Sequence, residues 1–192
     1  MVKRSSTILL TGIIGLLAAV LTGAGEFILH FDSLARFSTD YEFFTGISDQ
    51  RSTIGHFIGV IGAPLYLVGC WHIQLMLSPA NNRWSMIAFC IAAYGFAVGA
   101  IWMGSRASIS ALVNVPVTDD IGHLIALYEF RYETLLQIIR VSVLMLSAVY
   151  ICLTLSGRSH YPKWMAALNP ILLLLASFIV YAIAPSFGKY LM

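Results

Sequence analysis

Charge is what this chain has least of. Asp, Glu, Lys and Arg together make up 10% of its 192 residues, against roughly a quarter in an ordinary soluble domain. With hydrophobic residues at 59% and a mean hydropathy of +0.84, no soluble fold could hide this much apolar surface. Cysteine is scarce too. Cys70, Cys90 and Cys152 all fall inside apolar stretches, which excludes a disulfide framework and a Cys-x-x-Cys metal or redox motif, and they read as small buried hydrophobes. No linker, low-complexity tract or internal repeat interrupts residues 1–192, so the chain reads as a single domain. A net charge of +2, with no basic patch interleaved with aromatics, gives no footing for nucleic acid. His-Glu-x-x-His, a phosphate loop and a nucleophile elbow are missing as well.

What is present is a set of apolar runs, each close to the ~20 residues that cross a ~30 Å hydrocarbon core. Five spans are predicted, at about 8–29, 53–77, 84–106, 132–155 and 164–185, giving an all-α polytopic transmembrane bundle. Trp84 and Trp164 sit at one interface and Tyr132 at the other. Ser78–Arg83 and Ser156–Lys163 read as tight turns. Gly55-x-x-x-Gly59 with Gly62 and Gly69, and Gly95-x-x-x-Gly99, offer faces on which backbones approach closely. Kinks are expected at Ala63-Pro64 and Asn169-Pro170, where proline removes a backbone donor.

The few charges are sorted. All nine acids (Glu26, Asp32, Asp40, Glu42, Asp49, Asp119, Asp120, Glu129 and Glu133) lie in or beside the first and third connections. The amino terminus with Lys3 and Arg4, the second connection with Arg83, and the fourth with Arg158 and Lys163 carry only basic charge. By the positive-inside rule the latter side is cytoplasmic, which puts the amino terminus in and the carboxyl terminus out, in the cell (inner) membrane. Arg36, Arg51, Arg131 and Lys189 count against that orientation. The first span also imitates a signal peptide, with a basic start, an apolar run and Thr22-Gly23-Ala24-Gly25, although apolar character resumes at Phe27-Ile28-Leu29.

Polar chemistry is thereby gathered at the outer rim. On the fourth span, Glu129, Glu133, Gln137, Arg140 and Ser147 share about one quadrant of the helix, and Arg140 lies ~10 Å deeper than Glu133. Three readings stand for Arg140: an ion pair with Glu133 or Glu26, a clamp for an anion or lipid headgroup in a hydrated cavity, or snorkelling to the surface. Glu26 and His30, four apart, share a face of the first helix; His56 and Arg106 enter at matching depth on the second and third. These residues are either a carboxylate–imidazole proton site or an interfacial cap on the bundle. The candidate ligand pocket is therefore Glu26, His30, His56, Arg106, Glu129, Glu133, Gln137 and Arg140.

A metal or other cofactor is not expected. Carboxylate-bridged bundles pair Glu and His at i,i+3, not i,i+4, and His56 and His72 are too far apart on one helix to flank a haem iron. His72 reads as an interfacial residue. The loop 30–52, rich in Phe31, Phe37, Tyr41, Phe43 and Phe44, is expected to form a lid or an interfacial helix. A helix is expected to start at Thr118-Asp119-Asp120 and run on into the fourth span.

The string Ser156-Gly157-Arg158-Ser159-His160-Tyr161-Pro162-Lys163-Trp164, on to Asn169-Pro170, resembles a stretch in a family of small multi-span membrane proteins known only as a domain of unknown function. Gly25-Glu26 before Leu29-His30-Phe31-Asp32, and Gly59 through Gly69-Cys70-Trp71-His72, are similar to its first two spans. The resemblance implies an integral membrane protein and brings no activity, cofactor or catalytic residue. Two classes of function are open to these residues. One is a protein that binds or moves a small molecule or lipid headgroup in the outer-facing pocket; the other is an intramembrane lipid-modifying enzyme, with Glu26, His56 or Glu133 as acid or base and Arg140 holding a phosphate. Membrane lipid is the expected partner in both. Oligomeric state is not legible.

Overall fold

Hydropathy of this kind admits only helices or a closed barrel across lipid, and the chain takes the first course. The structure, a computed structural model, describes residues 2–32, 41–116 and 118–184. Among these residues six α-helices run in order: α1 Val2–His30, α2 Asp49–Gly62, α3 Leu65–Leu77, α4 Asn82–Val113, α5 Asp119–Leu155 and α6 Pro170–Ile183. Helices α2 and α3 form one path, broken at Ala63-Pro64 as expected from the missing proline donor. Among the described residues four stretches are long and apolar enough to cross a membrane: Ser5–Leu29, Asp49–Leu77, Asn82–Val113 and Asp119–Leu155. The protein is an all-α, multi-span membrane bundle.

The fifth apolar run is shorter than its hydropathy suggested. Lys163–Leu168 winds as a 3₁₀ segment, and Asn169 is held extended because the residue before a proline is pushed out of the helical region. Asn169 Oδ1 then accepts the Ile171 and Leu172 backbone N–H groups, so α6 begins at Pro170. Its 14 residues rise only ~21 Å. In place of a kinked span there is a capped break followed by a short helix.

Elsewhere the helices outrun the expected spans. At 37 residues α5 is ~55 Å long, so its amino-terminal turns extend past the hydrocarbon. Thr118 starts it, its hydroxyl accepting the Ile121 N–H, with Asp119 and Asp120 in the first turn against the positive end of the helix dipole. The acid-bearing connections meet at one end of the bundle, where Leu29, Phe44, Ile109 and Tyr132 pack together. At the opposite, basic end, Leu77, Ala88 and Leu153 form a second cluster.

Packing across the bundle is uneven. Along α1 the neighbours are α2 and α3, and they touch backbone to backbone: a Cβ added to Gly25 would stand 2.6 Å from the Gly59 nitrogen and 2.7 Å from the Gly55 oxygen. One added to Gly15 would stand 3.0 Å from the Gly69 Cα. Lipid gives helices no hydrophobic reason to associate, so this close approach and its dispersion contacts hold the pair. Helix α4 joins the pair to α5. Of the cysteines only Cys70 is buried; Cys90 and Cys152, expected inside, face out of the bundle, where lipid accepts an apolar thiol as readily as a core does.

Candidate functional site

The head of the site is an ion pair between α1 and α4. Glu26 lies about one turn before the end of α1, and Arg106 reaches it from α4, its Nη1 donating to Glu26 Oε1. Arg106 is 4% exposed and Glu26 32%. The guanidinium lies 4.6 Å from the Trp102 ring centroid and 5.9 Å from that of Phe44, so aromatic faces share its charge with the carboxylate. Such pairing is what makes a buried arginine tolerable at this depth.

The described part of the aromatic loop closes this end as a plug. Tyr41 to Ile47 fold inward around a 3₁₀ turn at Glu42–Phe44, leaving Phe44 fully buried. Tyr41 meets Tyr132 edge-on at 5.5 Å, and Tyr132 stacks on Trp102 at 5.1 Å. Asn114 clamps the turn: its Nδ2 donates to the Phe44 and Ser110 carbonyls at 3.0 and 2.8 Å, and its Oδ1 accepts the Gly46 N–H at 3.0 Å. Arg51 caps α1, donating from Nε to the Ile28 carbonyl at 2.7 Å and from Nη2 to that of Phe31 at 2.6 Å. Phe37, also assigned to a lid or interfacial helix, lies outside the described residues.

Beneath the ion pair, α1 and α5 hold apart and leave a cleft of about 310 Å³. Its walls are Thr22 and Glu26 of α1, Tyr66 of α3, Ile91 to Met103 of α4, and Leu136, Ile139, Val143 and Leu146 of α5, with Pro170 at its edge. Along α4 that is ~18 Å of helical rise. The lining is almost wholly apolar, and its one charged group is Glu26. The two glycines of Gly95-x-x-x-Gly99 divide in role. A Cβ on Gly95 would meet Ser142 at 3.0 Å, whereas one on Gly99 would meet nothing within 4 Å because it points into the cleft. A shallower groove lies on the outside of the α4–α5 pair, between Cys90, Tyr94, Gln137 and Val141.

The residues expected to form one pocket are distributed around this cleft. Glu26 and Arg106 are paired. Glu129 is half-buried, while Glu133, Gln137 and Arg140 are exposed on α5, with Gln137 on the outer groove. His56 is half-buried on α2, its ring facing Gly104 of α4, with a buried Nδ1 that finds no hydrogen-bond partner among the described residues. It does not line the cleft. The side chain of His30 lies outside the described residues.

Arg140 pairs with neither Glu133 nor Glu26. The guanidinium that reaches Glu26 is that of Arg106, since α4 adjoins α1 whereas the cleft separates α1 from α5. Sequence reasoning gave Trp102, Asn114 and Arg51 no role at the site, and gave Phe44 one only as part of a lid or interfacial helix. A signal existed for one of them: Trp102 and Arg106 are four apart on one helix face, the spacing that lays a guanidinium over a ring.

At the basic end, His72 is more than interfacial. Its Nδ1 lies 3.1 Å from the Thr11 hydroxyl of α1, and its ring packs on Gly12 and faces Tyr161. The connection carrying Tyr161 is tied down by the His160 N–H, which donates to the Met76 carbonyl at 2.9 Å. Burial, and then the neighbouring Tyr150, pushes the Tyr161 phenol above its ordinary range, so it stays neutral. Among the described residues, no three His, Cys, Asp or Glu side chains gather to hold a metal ion.

Residues 1–192 match a family of unknown function, DUF6796, and the chain belongs to that family. No curated protein and no solved structure matches the chain.

Proposed function

We propose that this DUF6796 protein binds an amphipathic membrane lipid, with an acyl chain in the cleft and the polar head at the Glu26–Arg106 end. The observation behind the reading is the cleft itself, about 310 Å³ in volume and almost wholly apolar, with the charged Glu26 toward the acidic end. A space of that kind is a poor host for water, which needs two to four polar partners. Inside a bilayer, lipid chains are its natural filling. The acid–base alternative is less well served, because the carboxylate lining the cleft, Glu26, is already engaged by Arg106, and His56 stands away from the lining.

The test uses the open space at Gly99. Gly99→Phe fills the cleft, and Gly23→Phe, at an exposed position with nothing within 4 Å, controls for the added ring. Native mass spectrometry of purified protein should show lipid retained by the wild type and by Gly23→Phe and lost from Gly99→Phe. Equal retention by all three overturns the reading.

The sorting of acid and base also supports an orientation with the acidic end outside the cytoplasm. In a background lacking the native cysteines, Asp120→Cys should be labelled on intact cells by an impermeant thiol reagent and Arg158→Cys should not. The reverse pattern inverts the orientation.

A further inference from the structure

The edge of the cleft carries charges that the ion pair does not use. Glu129, Glu133 and Arg140 fall within ~40° of one another around α5, and among the described residues none of the three side chains makes a hydrogen bond or ion pair. Arg140 follows Leu136 by four residues and precedes Val143 by three, and Glu133 precedes Leu136 by three; Leu136 and Val143 line the cleft, so Arg140 and Glu133 of this strip border it, with Glu129 one turn beyond toward the acidic end. The order along the strip is definite. Arg140 is the deep member; the Cα atoms of Glu133 and Glu129 lie ~10 and ~16 Å nearer the acidic end. Side chains on a helix lean toward its amino terminus, here the acidic end, so the Arg140 guanidinium rises toward the level of Tyr132 and Glu133.

We infer that the cleft selects a lipid with a phosphoethanolamine head. In such a head the phosphate sits next to the glycerol and acyl chains and the ammonium sits farther out. The strip repeats that order with opposite signs: a guanidinium at the inner station for the phosphate, carboxylates at the outer station for the ammonium. A phosphoglycerol head satisfies Arg140 but sets an uncharged alcohol against two carboxylates. A choline head carries the right charge but has no N–H to donate to them. The inference rests on the cleft being a lipid site.

The test exposes the full-length protein to an equimolar mixture of phosphatidylethanolamine, phosphatidylglycerol and phosphatidylcholine with identical acyl chains, and weighs the retained lipid by native mass spectrometry. The ethanolamine lipid should be enriched about fivefold over each of the others, the ratio for one modest charge contact. Glu129→Gln/Glu133→Gln should retain the same total lipid with that preference abolished. Arg140→Gln should lower retention of all three lipids about fivefold, and Arg140→Lys should recover most of it. Wild-type protein that retains the three heads equally, or a preference that survives the double glutamine variant, overturns the headgroup assignment and leaves the lipid site standing. Absence of every lipid overturns both. A dimer that dissociates in Arg140→Gln would give the strip to a second copy of the chain and also overturn the assignment.

Discussion

The two sides of the bundle are built on opposite terms. Between α1 and the α2–α3 path, glycines bring backbones together so closely that a single added carbon has no room. Between α1 and α5 there is a cleft, and α6 beyond it buries no residue at all. In water, hydrophobic collapse would close such a gap. In lipid that force is absent, so helices stay together only where small residues or polar pairs make the contact favourable, and an unfilled space can persist as a binding surface. On the proposed reading one side is scaffold and the other receives a lipid, with the Glu26–Arg106 pair at the seam.

The seam should be the most sensitive point. Glu26→Ala leaves Arg106, 4% exposed, without its carboxylate, and is expected to cost about 3–5 kcal/mol in detergent unfolding. Glu26→Leu/Arg106→Leu should recover most of that, because neither charge is then stranded. A double variant as unstable as the single one would mean that the pair does more than neutralise itself.

Next comes the tight side. Gly25→Leu forces a side chain against backbone that cannot yield, and is expected to cost about 3 kcal/mol; thermal melting beside Gly99→Leu, whose side chain enters open space, measures the contrast. Equal losses at Gly25 and Gly99 would erase the distinction between the two sides. A smaller effect is expected at the plug, where Asn114→Ala removes three hydrogen bonds, two of them to the aromatic turn. A loss of about 1–2 kcal/mol should be accompanied by faster hydrogen exchange at Gly46 and Ile47.

Much of this architecture was legible in the chain. Four spans follow from runs of apolar residues, the α2–α3 break from Pro64, and the start of α5 from Thr118 and two acids. The beginning of α6 was not, because Trp164 to Leu168 is apolar like α6 itself and only the Asn169 cap separates the two. Glu26 and Arg106 were both identified by depth, but depth does not say which helices are neighbours. For Arg140 an ion pair, a headgroup clamp and snorkelling all stood open, because a charge in lipid is costly. Among the described residues the ion pair is not formed and Arg140 is exposed at the border of the cleft; hydropathy offers no sign of a gap between helices. Nor did it reveal that Phe44 and Tyr41 turn inward, since that depends on the Asn114 clamp and on the Trp102–Tyr132 stack that receives them.

Whether an acyl chain occupies the cleft is tested most directly with a phospholipid carrying a photoactivatable diazirine in its tail. After irradiation in membranes and digestion, adducts should map to Gly99, Leu136, Ile139 and Val143, which line the cleft, and should disappear in Gly99→Phe. Adducts confined to lipid-facing positions such as Leu9, Leu16 and Leu144, unchanged by Gly99→Phe, would contradict it.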